Sequence, residues 1–475
     1  MDEHGPGPGS GSGSGRGPGP GPKTPEATAV EALEPDVYPA PVGMWQRVRR
    51  SEVWRSAFRH PQLDTPRGRA LQSFSNFFLH VYPIKVPGRV LRFRYSWRLG
   101  YILTVLFAIL NLTGMYLMFF YTPSIASAYG DMQQLRTGVG FGQLVRNVHR
   151  WSAHLMVLAV VLHLARVFLA GAYKRPRQFN WVLGVGLLAL TLAFSFTGYL
   201  LPWDQLSYWA VTVGTNLVNY IPVLGNTLRD LLLGGAQIGQ ATLLRFYALH
   251  VFVLPAALTV LLAVHIWRVR KDGFAVQQVT GGAFAEEATE RPRPAAPPIP
   301  IAGGASGGEA AGERRVRLLG VVDRQSVTAE ERRVDDTVFT WPHLLVRHAV
   351  VGLATAAAVL SLGVAFAAPL RGLANPQLTP EPSKAPWYFV GLQELLSHVD
   401  PLVAGILVPA GTLLGLALLP YLDRNPATEA RNRKVAVLLF ATLLAAAVAL
   451  TVVGEFFRGP GWRFVPPWRH LYVDL

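Results

Sequence analysis

Long apolar runs alternate with short polar segments along most of the chain. Seven of the runs are long enough to cross the hydrocarbon core of a bilayer as helices, which takes about 20 residues. They cover residues 99–120, 148–170, 181–201, 246–267, 346–370, 401–420 and 435–453, and we label them α1 to α7 in that order. Helices are expected because isolated strands would leave backbone polar groups without partners in lipid. The pattern therefore predicts an all-α membrane protein.

The polar segments divide the chain into four regions. Residues 1–65 begin with a stretch rich in Gly, Pro and Ser and are predicted to form a disordered cytoplasmic tail. Residues 66–270 carry four helices, 271–340 form a charged linker rich in Gly, Pro and Ala, and 341–475 carry three helices. We also expect an interfacial helix at 67–82 and short surface helices within 204–245, where proline and glycine interrupt the apolar pattern.

Composition and charge support membrane insertion. Hydrophobic residues make up 51% of the 475 residues and charged residues 15%, whereas a soluble domain has about 25% charged residues. The net charge of +15 could indicate nucleic acid or anionic lipid, but the basic residues cluster beside apolar runs. Lipid headgroups are therefore expected as partners, and nucleic acid is not. Because the chain has no cysteine, disulfides, thiolate metal sites and thioether-linked haem are excluded.

Basic residues also predict the topology. They concentrate in the α2–α3 loop, at the end of α4 and in the α6–α7 loop, which all lie on one side of the membrane if the N-terminus is cytoplasmic. These residues are Lys174, Arg175, Arg177, Arg268, Arg270, Lys271, Arg424, Arg431, Arg433 and Lys434. The α1–α2, α3–α4 and α5–α6 loops then face outward.

Two helices carry pairs of histidines at matched spacing: His149 and His163 on α2, and His250 and His265 on α4. At about 1.5 Å and 100° per residue, 14 steps climb roughly 21 Å and return to the same face. Side by side, the helices present two histidine pairs at two depths, which suits bis-histidine haem iron. A single membrane histidine would more simply bond a neighbouring helix, but four in this arrangement favour ligation. His154 lies on another face and is assigned to packing or an ordinary hydrogen bond.

Glycine and arginine add to this four-helix di-haem bundle. The helices without these histidine pairs have glycines at a spacing of 14 residues: Gly100 and Gly114 on α1, and Gly184 and Gly198 on α3. Glycine lets a flat macrocycle approach the backbone closely. Arg146 and Arg245 precede the outer histidines and are predicted to bind haem propionates, with interfacial anchoring as the alternative.

Several strings resemble the cytochrome b family. They are Arg-Asn-Val-His-Arg-Trp-Ser-Ala-His at 146–154, Phe-Thr-Gly-Tyr-Leu-Leu-Pro-Trp-Asp-Gln at 196–205, Arg-Phe-Tyr-Ala-Leu-His at 245–250, Ala-Asn-Pro at 374–376 and Ala-Pro-Trp-Tyr at 385–388. The resemblance runs from about residue 67 to residue 453. The 15-residue step in α4, the Pro-Trp-Asp-Gln string and the three-helix C-terminal part resemble the chloroplast type, in which the two parts are usually separate chains.

This resemblance implies the cytochrome b subunit of a quinol-oxidising cytochrome bc complex. His149 and His250 would hold the outer, low-potential haem, and His163 and His265 the inner, high-potential one. Quinol would be oxidised at the outer surface; one electron would pass to a Rieske-type iron–sulfur protein and the other through both haems to quinone inside, in a Q cycle that releases protons outward. A c-type cytochrome subunit, a homodimeric complex and a bacterial cytoplasmic membrane are expected. The covalently bound haem of the chloroplast type is not, since it needs a cysteine.

The quinone sites are assigned by the same resemblance. The outer quinol pocket would involve residues of the surface helices and of the turn before α6: Tyr208, Ala210, Ile221, Pro222, Pro386, Trp387 and Tyr388. Many relatives have glutamate where this chain has Pro386, so the proton acceptor is assigned to Glu394, followed by Glu381 and Asp400. A solvated or helix-capping role for Glu394 stays open. Arg270, Lys271 and Asp272 are candidates for the inner quinone site, with positive-inside anchoring as the plainer role.

Two other classes fit part of the pattern. A di-haem membrane anchor of a different quinone-linked dehydrogenase would have the histidines, but not the Pro-Trp-Asp-Gln string, the Pro-Trp-Tyr turn or the three-helix second part. A transporter would have seven spans and intramembrane charge, but not the 14-residue spacings.

Overall fold

The computed structural model describes residues 44, 48, 51–57, 85–274, 337–380, 383–457 and 464. Residues 1–54 form one unit, whose described part includes the start of the short helix Glu52–Ala57; there Ser51 Oγ accepts a hydrogen bond from the Trp54 amide. Residues 55–475 form the second unit. Most of the predicted tail, the interfacial helix at 67–82 and the linker residues 275–336 lie outside the described residues, as does Glu381.

Seven helices of the described residues are long and apolar enough to cross a membrane. They are α1 (Leu99–Met118), α2 (Gly142–Leu169), α3 (Gln178–Leu200), α4 (Gln240–Asp272), α5 (Thr340–Ala365), α6 (Val403–Leu422) and α7 (Lys434–Phe456). The predicted all-α membrane fold is confirmed, and the chain is an integral membrane protein.

Two of these helices contain a wider π-helical turn just before a proline. In α4 the turn is Leu249–Val253, next to Pro255, and in α6 it is Val403–Leu407, next to Pro409. Because proline has no N–H to donate to the preceding turn, the wider turn accommodates the missing bond. The π turn in α4 includes His250.

Shorter elements connect the spans. Surface helices occupy Ala128–Thr137 between α1 and α2, Gln205–Asn216 and Gly225–Leu233 between α3 and α4, and Trp387–Leu396 between α5 and α6. The last of these is called the α5–α6 surface helix below. Strand β1 (Lys85–Pro87) pairs antiparallel with β2 (Thr337–Phe339). The remaining short elements are the helix Phe93–Ser96 and the 3-10 turns Gly88–Leu91, Leu217–Tyr220 and Ala430–Asn432.

Several predicted boundaries differ from the structure by five or six residues; α4 and α5, for example, each begin six residues earlier than predicted, at Gln240 and Thr340. Helix α2 begins six residues earlier than predicted, at Gly142, and α4 continues past residue 267 to Asp272, so that Arg270, Lys271 and Asp272 are helical. Helix α5 ends at Ala365 rather than at residue 370. Pro369 disfavours the helical conformation at the preceding residue. The Ala368 amide donates to Asn147 Oδ1 of α2 at 2.7 Å, instead of to a carbonyl within α5.

The spans pack in two groups that meet along α2 and α3. Helix α1 packs on α2 and α3 packs on α4, while α5 packs against α1 and α2, and α6 against α3. One core cluster joins Leu106, Met156, Ala159 and Val359 from α1, α2 and α5. Since lipid is as apolar as these side chains, close packing and interhelical hydrogen bonds hold such helices together.

The structure brings the three basic connections together. Arg177 of the α2–α3 loop donates from Nε and Nη2 to the carbonyls of Gly273 and Phe274, which follow α4. Lys174 Nζ lies 2.6 Å from the Asp423 carboxylate, and Arg433 donates to the Tyr173 hydroxyl at 2.8 Å. These contacts place the basic ends of α2, α4 and α6 on one face of the bundle, as the charge pattern predicts.

Candidate functional site

The outer histidine pair lies between α2 and α4. The ring centroids of His149 and His250 are 6.3 Å apart and their planes are inclined by 67°. A bond from a metal to an imidazole nitrogen is about 2 Å long, so two rings on opposite sides of one metal have centroids roughly 6 Å apart. The pair therefore fits a bis-histidine metal, and a porphyrin would supply the other ligands.

The inner pair, His163 and His265, lies about four helical turns from the outer pair along the same two helices. His265 is close enough to His163 for the rings to interact electrostatically. At about 1.5 Å per residue, the inner pair lies roughly 21 Å from the outer pair along α2. Each helix thus supplies one ring at each of two depths.

Each of the four predicted glycines faces one of the four histidines. A Cβ built on Gly198 would lie 2.4 Å from His250 Cε1, and one on Gly114 would lie 3.4 Å from His149 Cε1. At the inner level, Gly100 faces His163 at 3.4 Å and Gly184 faces His265 at 3.6 Å. Glycine thus leaves the histidine ring room between the helices, which refines the expectation that it clears space for the macrocycle alone.

Two threonines orient the outer rings, and sequence reasoning missed both. Thr113 Oγ1 is 2.9 Å from His149 Nδ1, and Thr197 Oγ1 is 3.3 Å from His250 Nδ1. A partner on Nδ1 fixes the ring orientation and leaves Nε2 for a ligand. The sequence does contain a signal for them, because a threonine directly precedes the outer glycine on both α1 and α3.

The two arginines assigned to propionates have backbone partners. Arg146 is buried and donates from Nη1 to the Ala368 carbonyl and from Nη2 to the Pro369 carbonyl, both at 2.7 Å. Arg146 therefore links α2 to the segment that follows α5 by two hydrogen bonds. Arg245 is exposed and donates to the Leu231 carbonyl on a neighbouring surface helix. The propionate assignment remains a prediction for both.

Trp387 and Tyr388 begin the α5–α6 surface helix and are called the Trp-Tyr turn below. They lie beside the outer part of α2. Trp387 Nε1 donates to His154 Nδ1 at 2.9 Å, and the Tyr388 ring packs edge-on against His154 at 5.6 Å between centroids. Tyr388 also hydrogen-bonds Ser195 on α3. Burial raises the pKa of the Tyr388 phenol, so the hydroxyl stays protonated and remains a donor. Pro386 is the N-cap of the α5–α6 surface helix.

The string Pro-Trp-Asp-Gln docks the loop that leads to this turn. Asp204 Oδ2 accepts from the Arg371 amide at 3.0 Å, and the Gln205 amide donates to the Gly372 carbonyl at 2.8 Å. Trp203 has φ of 52°, in the left-handed region, and its carbonyl accepts from the Ala374 amide. Burial and these bonds hold that strained conformation in place.

The other predicted quinol-site residues are spread along the surface helices. Tyr208 is buried in a cluster with Trp203 and Phe246, and Ala210 is half-buried on the same surface helix. Ile221 is half-buried and Pro222 exposed, immediately after the turn Leu217–Tyr220. The structure thus links Trp387 and Tyr388 directly to α2 and α3, and places the other four on the adjoining outer surface.

Glu394 lies on the α5–α6 surface helix and is 2% exposed. Its Oε1 is 2.8 Å from Nε2 of His398, one helical turn further along the chain. The carboxylate is therefore buried and hydrogen-bonded, unlike the solvated group that the sequence left open.

At the inner end of α4, Asp272 forms a buried ion pair with Arg268 at 3.1 Å, and Arg268 also lies over the Phe179 ring of α3. Lys271 Nζ lies 4.9 Å from the centroid of the Trp267 ring. Arg270 is half-buried on the same turn. The Asp272 carboxylate is thus engaged within the chain, and sequence reasoning missed its partner Arg268 as a site residue.

Comparison with known proteins identifies both parts of the chain. The family model described as Cytochrome b/b6/petB matches residues 85–273, and that described as Cytochrome b(C-terminal)/b6/petD matches residues 373–467. Cytochrome b6 of Synechococcus sp. (strain CC9902) and that of Prochlorococcus marinus (strain AS9601) are each 49% identical over 175 residues, which cover 37% of this chain and 80% of the relative.

A solved structure described as a hyperthermophilic respiratory Complex III is similar to 77% of this chain and 85% of its own, with a TM-score of 0.60 and 25% sequence identity. The matched regions contain all four paired histidines and the Trp-Tyr turn. The chain therefore belongs to the cytochrome b/b6 family and joins the b6-type part and the subunit IV-type part in one polypeptide.

Proposed function

We propose that this chain is the cytochrome b subunit of a quinol-oxidising bc complex, which moves electrons from quinol across the membrane and couples this transfer to proton translocation. The observation that carries the proposal is the arrangement of His149 and His250 between α2 and α4, with a second pair four turns further along. Two non-covalent b-type haems, when bound, would supply one-electron redox centres at these two depths.

The residues around the histidine pairs fix the positions of the ligands. The imidazoles of α2 and α4 would ligate from opposite sides, because each helix contributes one ring at each level. Thr113 and Thr197 hold the outer rings by Nδ1, and the four glycines leave the rings room. A haem edge in this bundle would be shielded from water by the packed spans α1 to α4.

Quinol oxidation is assigned to the outer side of the Trp-Tyr turn. Tyr388, a protonated donor, can bond a quinol or quinone oxygen, and the contact of Trp387 with His154 holds the turn against α2. Loss of two electrons from a neutral quinol releases two protons, so a base is required. Pro386 cannot serve, and we assign this role to the buried carboxylate of Glu394.

The remaining assignments follow from the family. A Rieske-type iron–sulfur protein would take one electron at the outer surface and pass it to a c-type cytochrome, within a homodimeric complex. The complex would act as a quinol–cytochrome c oxidoreductase in a bacterial cytoplasmic membrane, with the N-terminus inside, where the basic loops gather. Arg270, Lys271 and Asp272 would lie near the inner quinone site.

The purified complex tests this proposal. A reduced-minus-oxidised spectrum should show two b-type haems per chain, and added quinol should reduce them. His149→Ala or His250→Ala should remove the outer haem alone, and His163→Ala or His265→Ala the inner one. His343→Gln is a matched control, because this histidine is exposed at the start of α5.

A colourless preparation would contradict the proposal and favour a transporter. Reduction by the soluble subunits of a dehydrogenase, in a complex without an iron–sulfur quinol-oxidation partner, would favour the membrane-anchor alternative. If all four alanine variants kept two haems, the ligand pairing would be wrong.

A further inference from the structure

A cavity of about 380 Å³ lies between the α5–α6 surface helix and α7. Its wall includes Lys384, Gln393, Glu394 and Ser397, and Gly454 of α7. A Cβ on Gly454 would lie 3.4 Å from Glu394 Cβ, so the two helices are in close contact where the carboxylate enters the wall. The cavity thus has a buried acid in its wall.

The Glu394 carboxylate is connected to the surface through one imidazole. Its side chain is 1% exposed, whereas that of His398, bonded to it at 2.8 Å, is 48% exposed. His398 lies just beyond the end of the surface helix at Leu396. The carboxylate of this pair therefore lies within the protein, while the imidazole reaches the protein surface.

The helix that carries Glu394 also carries Trp387 and Tyr388 at its start. Trp387 lies seven residues before Glu394, which places the two on nearly the same helix face and about 10 Å apart along the axis. Gln393 fixes the segment before the turn, because its Oε1 accepts from the Ala385 amide and its Nε2 donates to the Ser383 carbonyl, both at 2.7 Å. Trp387, Tyr388 and Glu394 thus lie on one short helix, and His398 follows directly after its end.

The charged groups around the pair come from each neighbouring element. Lys384 lines the cavity and donates to the Glu455 carbonyl on α7. Lys384 also interacts electrostatically with the Glu455 carboxylate of α7. Asp400, just before α6, is exposed and accepts from the Leu402 amide, and His154 of α2 is bonded to Trp387.

We propose that Glu394 and His398 form the proton exit of the quinol-oxidation site, with Glu394 as acceptor and His398 as the group that releases the proton to the outer side. This inference rests on the function proposed above. Quinol loses two electrons, to the iron–sulfur partner and to a b-type haem, and becomes quinone. Each proton is taken by the Glu394 carboxylate, passes to the His398 imidazole and leaves to water as the imidazolium discharges; the second follows once the first has left.

The test compares variants in the purified complex, with quinol as electron donor and an indicator dye to follow proton release. Glu394→Gln should lower quinol oxidation by about 100-fold, the lower end for loss of a positioned base, while haem content stays at two per chain. His398→Gln keeps a hydrogen-bond donor toward Glu394 but cannot carry a proton, so turnover and the rate of proton release should both fall several-fold. Asp230→Asn, an exposed carboxylate elsewhere on the outer side, is the matched control.

Chemical rescue separates proton transfer from a structural role. Added imidazole should restore proton release and turnover in His398→Ala, which a purely structural loss would not allow. If His398→Ala lost its haem signal, His398→Gln would carry the test. Wild-type turnover with a wild-type rate of proton release in His398→Gln would overturn the exit. Failure of quinol to reduce the wild-type complex would instead overturn the proposed function.

Discussion

At the residue scale, Gly198 has the least room of the four paired glycines. A Cβ at this position would lie 2.4 Å from His250 Cε1 and within 3.0 Å of both ring nitrogens, whereas the other three positions leave 3.4–3.6 Å. Such a contact is too short for any side chain, so the imidazole would have to move. The identity of this one residue therefore controls the position of the His250 ring.

We expect Gly198→Ala to displace His250 and to reduce haem content from about two to about one per chain, with the outer haem lost. The reduced-minus-oxidised spectrum and haem extraction measure this directly. Gly415→Ala in α6 is a matched control, because nothing lies within 4 Å of a Cβ there. Full retention of the outer haem in Gly198→Ala would show that the ring adjusts freely.

The threonine partners have a separate and smaller effect. Thr113→Val removes the contact to His149 Nδ1 while keeping the shape of the side chain, so the ring keeps its backbone bond to Leu110 but loses its side-chain partner. Loss of such a partner typically weakens metal binding about 10–100-fold. Haem retention on dilution in detergent should fall in Thr113→Val, and less in Thr197→Val, whose contact is longer. Equal retention in both variants and wild type would argue against a role for these contacts.

At the element scale, Asp204 joins a surface helix to the loop before the Trp-Tyr turn. Its side chain caps the helix Gln205–Asn216 by accepting from the Ser207 amide at 2.9 Å, and it also accepts from the Arg371 amide. The same carboxylate thus caps the start of one helix and holds the loop that follows α5. Its loss would therefore affect both of these segments.

Asp204→Ala should destabilise the complex by about 1 kcal/mol through the lost cap and about 1–3 kcal/mol more through the unpaired Arg371 amide. A lower Tm and a raised KM for quinol, with haem content unchanged, are the expected results. Asp230→Ala, which removes an exposed carboxylate from the helix Gly225–Leu233, should leave both unchanged. A Tm equal to wild type in Asp204→Ala would contradict this account.

Element boundaries and partners show how far sequence reasoning reaches. Hydropathy and the spacing of His149, His163, His250 and His265 were sufficient for the spans and the paired histidines, because both depend on helix periodicity alone. The end of α5 was misplaced because Arg146 and Asn147, distant in sequence, bond the chain at Ala368 and Pro369. The contact between Trp387 and His154 and that between Glu394 and His398 were not predicted either, because their geometry depends on tertiary packing.

At the scale of the whole molecule, a buried polar network holds the three-helix part to the four-helix part. Arg433, at the start of α7, is buried and donates to the Tyr173 hydroxyl and to the carbonyls of Phe168 and Thr428. Asp423, after α6, accepts from Tyr173 and Lys174. Side chains at the two ends of the α6–α7 loop thus form hydrogen bonds and an ion pair with residues of the α2–α3 loop.

This network predicts a dependence of stability on pH. Burial raises the pKa of Asp423, but the hydrogen bonds from Lys174 and Tyr173 outweigh this effect and hold the pKa below its usual value. A depressed carboxyl pKa stabilises the fold above the unfolded pKa of about 3.9, and this contribution is lost as pH falls through the folded pKa. The difference in Tm between wild type and Asp423→Asn should therefore be constant from about pH 7 to about pH 5 and shrink below about pH 4. A difference that vanished near pH 6 would exclude this carboxylate as the cause.

The pairing of β1 with β2 bears on how such a fused chain can arise. The backbone of Thr337–Phe339 is aligned by Lys85–Pro87, so the entry to α5 takes its register from the first half of the protein rather than from residues 275–336. Because the entropy of closing a loop grows only slowly with its length, a change in the length of the connecting segment, or a cut in it, should leave the second half in place. We therefore expect fusion or separation of the two parts at this point to carry little penalty in folding.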